Sequence, residues 1–369
     1  MEKVKKILEC TTGVLFILAL AVGGLLLFLL PKTDYSEAER RQLALPPERS
    51  LEAVANGRSF TQTDEWITDH FEGREFFRHV KAVWQTRVMR ETENNGFTVV
   101  DGSIVKLEKQ VNEDSLEYAA GRFREIYADH LAGTDCRIYI SLIPDKSAFL
   151  AGRGYPVTDF EEMERLYYSA LPEAQAVSIK DALSLEDYYL TDSHWRQERI
   201  LPAANRLLRA MGKNGALDIN GFSEQTFSPF YGVYAAQSAL DPKPDGITYL
   251  TGGPVSGFTV TDFSAMKAIP VYDPEGCDAR DPYTLFIGGS KGLLRIENPN
   301  VTDGSELIVF RDSFGSSIAP LLAAEYGSVT LIDTRYIQPA LLDRYLRFTD
   351  QDVLFLYSVT LMNNSRGMR

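Results

Sequence analysis

One stretch constrains this chain more than any other: Leu307–Ile337, LIVFRDSFGSSIAPLLAAEYGSVTLIDTRYI. Four apolar residues, Leu307–Phe310, read as a short buried strand. Arg311-Asp312-Ser313 follows, and the small residues Gly315, Ser316 and Ser317 lead into Pro320-Leu-Leu-Ala-Ala. The order is strand, tight turn, helix, with Ser313 at the turn. A second apolar run, Val329–Ile332, follows Gly327, as in a βαβ unit of a parallel sheet. A hydroxyl there lies at the carboxyl end of a strand, where open α/β sheets bind ligands. The amino end of the next helix can stabilise an oxyanion beside it. Ser313 is therefore the candidate nucleophile, although serines at such turns also serve as plain helix caps.

Charge and cysteine content remove whole classes of function. The net charge is −13, and the first 30 residues carry three Lys against two Glu, so the remainder stands at −14 (−13 minus +1). That sign disfavours a nucleic-acid partner. Three cysteines, Cys10, Cys136 and Cys277, are too few for a disulfide framework or a Cys-rich zinc site, and pairing of Cys136 with Cys277 is left open. A length of 369 residues allows one large domain or two moderate ones.

The amino terminus has its own signature. Lys3, Lys5 and Lys6 precede Val14–Leu30, seventeen apolar or Gly residues without a charge. At about 1.5 Å per residue the run nearly covers a hydrocarbon core, and Thr11–Gly13 can extend it. A cleaved signal peptide is the alternative, but the run exceeds a usual signal core and Pro31-Lys32 replaces a small-x-small cleavage site. The basic flank puts the N-terminus in the cytoplasm. The expectation is residues 1–31 as tail and single-pass transmembrane anchor, 32–50 as a polar stalk, and 51–369 as one extracytoplasmic domain.

Within that domain, Leu51–Arg90 has helical spacing broken by Gly73, and Asp101-Gly102 marks a hairpin in Asn94–Lys106. Helices are expected over Ser115–Leu131, Asp159–Ala170 and Leu201–Met211, with Pro202 in the first turn of the last. Cys136–Ile143 reads as the first central strand and Ala176–Ile179 as another. Residues 213–300, rich in Gly, Pro and Asp, read as a β-rich insertion with short runs at Ile247–Leu250, Phe258–Phe263 and Thr284–Ile287. Pro339–Leu346 and Val353–Tyr357 supply a last helix and strand.

Only four histidines can serve as a base: His70, His79, His130 and His194. The first three lie in or beside helical patterns that offer no nucleophile. His194 differs, with Asp192 two residues before it and Trp195 after it, ahead of a helix. A nucleophilic serine needs a base plus a carboxylate to hold the imidazole tautomer, and an Asp-x-His spacing can supply both from one loop. The same pair can ligate metal, but the usual second His or Cys cluster is missing, and no metal or other cofactor is called for.

Thr191-Asp192-Ser193-His194-Trp195 resembles the Thr-Asp-x-His-Trp signature of the DHHW family, with Ser in place of the first His. Arg311-Asp312-Ser313-Phe314 resembles its Asp-Ser-Phe block. Leu331–Ile337, the Asp69–Arg74 loop and Ile143-Pro-Asp-Lys146 are similar to it too. That family resembles SGNH-hydrolase-like proteins related to alginate O-acetyltransferases. The resemblance implies a flavodoxin-like (SGNH-type) α/β fold, a parallel sheet with helices on both faces. It also implies a Ser313–His194–Asp192 triad, with the Asp-x-His pair ahead of the serine. Arg311 stands where SGNH esterases have Gly. Arg335, Tyr336, Trp195 and Asn363 are the candidate substrate-binding residues.

The function so implied is a membrane-anchored O-acetyltransferase acting on a cell-surface polysaccharide, supplied with acetyl groups by a multi-spanning membrane acyltransferase. With water as acceptor the same site is an acetylesterase. A catalytically silent glycan-binding or scaffold protein of polysaccharide assembly is the reading from a different class.

Overall fold

The computed structural model describes every residue except 1, 37, 38, 40 and 241, so those positions of the expected tail, stalk and insertion lie outside the described residues. The chain divides into two compact units, residues 1–94 with 235–241, and residues 95–234 with 242–369.

In the first unit, α1 (Glu2–Leu29) is one uninterrupted helix whose segment Val4–Leu29 is long and apolar enough to cross a membrane. Helices α2 (Arg58–His70) and α3 (Arg74–Val83) follow, separated by a short loop. Gly73 ends that loop at φ +79°, a left-handed conformation that Gly adopts without the Cβ penalty. The stretch expected as a stalk is tied down. Arg41 makes two hydrogen bonds to the Asp69 carboxylate, and the Ala44 N–H donates to it at 2.9 Å. Glu39 is buried and pairs with Arg41, Arg74 and Arg78.

The second unit is built on an eight-stranded sheet. In chain order its strands are β1 (Arg137–Ile143), β2 (Gln175–Ala176), β3 (Thr259–Asp262), β4 (Lys267–Ile269), β5 (Leu293–Glu297), β6 (Glu306–Arg311), β7 (Ser328–Ile332) and β8 (Asp352–Ser358). Their spatial order is β4-β3-β5-β7-β6-β8-β1-β2. From β7 to β2 every pairing is parallel, as the βαβ pattern requires, while β3, β4 and β5 join antiparallel at one side. These three come from the segment expected as an insertion, so much of it extends the main sheet. The Asp262 carboxylate closes the β3–β4 hairpin by accepting from the Ser264 and Ala265 N–H groups. Ser223–Phe230 and Asp245–Thr251 form a separate two-stranded sheet. Thr284–Ile287 is not a strand, because Pro282 opens a tight helical turn over Pro282–Leu285.

The longer helices of this unit are α4 (Glu113–Ile126), α5 (Phe160–Ser169), α6 (Leu201–Ala210) and α7 (Gly315–Ala323). Alternation along β6 shows why both faces are covered: Leu307 and Val309 pack with α6 and α7, Ile308 and Phe310 with α4 and α5. Strands buried on both faces read as unbroken apolar runs, which is how Leu307–Phe310 stood out. Asn112 and Asp159 cap α4 and α5 through their side-chain oxygens, each cap contributing about 1 kcal/mol.

Candidate active site

Ser313 follows the carboxyl end of β6 and precedes α7, half-buried at the sheet edge. The turn is set by Asp312, whose Oδ1 accepts the Phe314 N–H at 3.0 Å and whose Oδ2 accepts the Ser358 N–H at 2.8 Å. Asp312 therefore shapes the turn and ties it to β8. Arg311 is fully enclosed and donates to the Asp312 and Gly289 carbonyls and to Ser316 Oγ. Gly315 makes room for it, since a Cβ there would fall 2.7 Å from Arg311 Cβ. An arginine in place of the esterase glycine is thus accommodated by a glycine four residues on.

Asp192 and His194 lie on a tight loop pinched by a bridge between Tyr188 and Trp195. Asp192 Oδ1 accepts from the His194 main-chain N–H at 2.9 Å and from Nδ1 at 2.6 Å, while Oδ2 accepts the Val233 N–H at 2.8 Å. With Nδ1 carrying the proton, Nε2 is the acceptor, and the Ser313 hydroxyl donates to it at 2.8 Å. Three side chains from two distant parts of the chain thus form one hydrogen-bonded line. Burial alone would raise the Asp192 pKa. The charge of His194 and the hydrogen bonds from its ring, its N–H and the Val233 N–H outweigh burial and hold the carboxyl well below the usual range.

Two further groups hold the line in place, and neither stood out in the sequence as a site residue. Tyr283 stacks on the His194 ring, centroids 3.9 Å apart and 12° from coplanar, with Phe314 tilted against it at 4.7 Å. Buried Lys146 donates to the carbonyls of Ile104, Tyr189 and Asp192 at 2.6, 2.6 and 3.0 Å, clamping the loop from below. Burial pushes its ammonium down to about 7, against the pull of Asp192, Asp245 and Asp145. Asp245 accepts the Leu190 and Thr191 N–H groups and the Thr191 hydroxyl, fixing the loop's other strand.

Residues 184–332 match the model of the DHHW family, described as DHHW protein. Over that span the chain is similar to DHHW proteins. Among solved structures, it is similar to a DHHW family protein from Eubacterium siraeum. That protein is 20% identical, with 74% of this chain and 95% of that one covered and a TM-score of 0.61. It is similar also to Bacillus cereus PatB1, at 18% identity, 73% and 97% coverage and a TM-score of 0.58. The same PatB1 with a sulfonyl adduct gives 17%, 72% and 95%, and 0.56. At these identities the likeness is one of fold. No curated protein matches the chain.

The remaining candidates divide. Arg335 and Tyr336 follow β7 at the same carboxyl edge as Ser313; Arg335 is held by both Asp333 oxygens at 2.6 and 2.8 Å, and Tyr336 is exposed. Trp195 is not placed to touch a substrate. It is wholly enclosed, and its indole N–H donates to Ser317 Oγ at 2.9 Å and to the Phe314 carbonyl at 3.2 Å. Asn363 is likewise internal: its carbonyl accepts the Asn112 N–H, and its amide donates to Glu108 and Gln110. Both are framework residues because every polar atom they carry already has a partner inside the fold. Among the described residues, no group of three or more His, Cys, Asp or Glu is arranged to hold a metal, and the three cysteines are free thiols.

Proposed function

We propose that this chain is a membrane-anchored, extracytoplasmic O-acetyltransferase of a cell-surface polysaccharide, with Ser313 as nucleophile, His194 as base and Asp192 as the residue that orients it. The observation that carries the reading is the unbroken line Asp192 Oδ1–His194–Ser313 Oγ, with contacts of 2.6 and 2.8 Å. Both fall within the reach that proton transfer requires.

In the first step His194 Nε2 takes the Ser313 proton as Oγ attacks the acetyl carbonyl. Asp192 accepts the hydrogen bond of Nδ1–H throughout, without taking the proton, and stabilises the imidazolium. The amino end of α7 favours the oxyanion of the tetrahedral intermediate. Collapse returns the proton to the leaving group and leaves acetyl on Ser313. A glycan hydroxyl, deprotonated by His194, then attacks the acetyl-serine and restores the free enzyme. The acetyl donor is delivered by a multi-spanning membrane acyltransferase. Helix α1 serves as an uncut anchor, with its lysine-flanked end in the cytoplasm.

The test is acetyl transfer from an activated ester by the full chain in detergent, with and without an oligosaccharide. Ser313→Ala and His194→Ala abolish it, and Asp192→Asn costs about 10⁴-fold. Diversion of acetyl from water to sugar separates transferase from esterase. Full activity in Ser313→Ala would make Ser313 a helix cap and turn the reading to a glycan-binding scaffold.

A further inference from the structure

Helix α3 is amphipathic in an inverted sense. Its arginines turn inward: Arg74 and Arg78 pair with buried Glu39, and Arg78 also donates to the Ala236 and Gln237 carbonyls. Its apolar residues turn outward. Phe76 is 66% exposed and Trp84, just past the helix end, 56%. Phe77, Val80 and Val88 are exposed as well, and the helical path continues through a wider turn over Trp84–Val88. Residues 76, 80, 84 and 88, with 77 beside them, form one stripe along the helix. A contiguous aromatic stripe facing water marks a contact surface.

Two observations say what covers it. The first is continuity with the apolar anchor. Phe28 of α1 lies against Trp66 of α2, ring centroids 6.5 Å apart, and Lys32 donates to the His70 carbonyl at 3.0 Å. Helix α2 is thereby fastened to the carboxyl end of α1, and only three residues separate α2 from α3. The second is charge. In a chain of net charge −13, Lys81, Arg87 and Arg90 are exposed along this segment. A helix with Trp and Phe on one side and cations at its margin is the kind that lies in the headgroup region of an anionic bilayer.

We propose that the stripe Phe76–Val80–Trp84–Val88 rests on the surface of the anionic bilayer that α1 enters, as a second membrane contact beside the anchor. The inference rests on the reading of α1 as an anchor. Burying these side chains among acyl chains removes from water the apolar area that the fold leaves uncovered, and Lys81, Arg87 and Arg90 meet lipid phosphates.

The test uses the full chain carrying Trp66→Phe, reconstituted in phosphatidylcholine–phosphatidylglycerol vesicles whose acyl chains are brominated near the headgroup. Trp195 is enclosed and stays bright. The expected result is quenching of most of the Trp84 emission, shown as its own by loss of the quenched component in Trp84→Phe. Phe76→Ser/Val80→Ser reduces the quenching without lowering the melting temperature, since both side chains face outward. Carbonate washing keeps failures apart. A chain that stays with the vesicles while Trp84 remains unquenched overturns the surface contact and leaves the anchor standing. A chain that washes off overturns the anchor reading itself. Shielding of Trp84 only in native membranes, not in vesicles, assigns the stripe to a protein partner and overturns the lipid contact.

Discussion

Gly232→Ala is a one-carbon perturbation aimed at the orienting carboxylate without touching it. A Cβ at position 232 would fall 2.2 Å from Asp192 Cβ and 2.5 Å from both its Cα and Oδ2. Non-bonded carbons rest at about 3.5–4.0 Å, so more than about 1 Å must be recovered by movement. Asp192 has little freedom to give: its carboxylate is held by His194 and the Val233 N–H, and its carbonyl by Lys146. The methyl therefore displaces the group that sets the imidazole, and a misplacement of about 1 Å costs about 10²-fold in rate. Overpacking costs about 1–3 kcal/mol of stability besides. The assay is kcat/KM for an activated acetyl ester, with Ser313→Ala as the blank and thermal melting in parallel. Combination with Asp192→Asn supplies the discriminating control. If both changes act through the same carboxylate, the double variant is little worse than Asp192→Asn alone. Wild-type kcat/KM in Gly232→Ala, or losses that multiply in the double variant, would refute the argument.

Two other outcomes follow from the surroundings of the line. Tyr283→Phe keeps the ring stacked on His194 and retains most of the rate, while Tyr283→Leu loses the stack and drops the rate by a few-fold to about tenfold, as expected for an aromatic contact of about 0.5–1.5 kcal/mol; equal rates in the two variants would remove Tyr283 from the machinery. Lys146 has a folded pKa pushed down to about 7, below the roughly 10.4 of an unfolded lysine. The unfolded chain therefore binds the extra proton between these values, and stability from this group falls as pH drops from about 10 to about 7. Melting temperatures across that window should show the slope in the wild type and lose it in Lys146→Met; an unchanged slope assigns it elsewhere.

The three residues of the line were legible because each is chemically unusual in its setting: a hydroxyl between strand and helix, and a scarce histidine two residues from an aspartate. The central strands were legible for a related reason, since burial on both faces leaves runs such as Val353–Tyr357 with no polar residue until the hydroxyl of Tyr357. What supports the line was not. Lys146 is of a type that usually lies at the surface, and only the convergence of carbonyls from Ile104 and from the Tyr189–Asp192 loop makes its burial tolerable. Tyr283 lay beside a stretch whose apolar residues suggested a strand, while Pro282 dictates a turn. Trp195 and Asn363 were misjudged because types that serve at sites also serve as internal ties, and sequence does not show whether a polar atom is already satisfied. Of the antiparallel strands only β3 fell in an expected run, Phe258–Phe263, and its place in the main sheet was not legible because edge pairings are set by partners far along the chain.

The Ser317 hydroxyl receives hydrogen bonds from both Trp195, at 2.9 Å, and Tyr283, at 2.7 Å. One of these residues neighbours the base in the chain and the other lies flat on its ring, while Ser317 sits one helical turn beyond the nucleophile. Nucleophile and base therefore share a mount on α7, whereas Asp192 is hung from Lys146 and Val233 on a separate support. A change at Ser317 therefore reaches both the ring stacked on His194 and the residue that follows His194 in the chain.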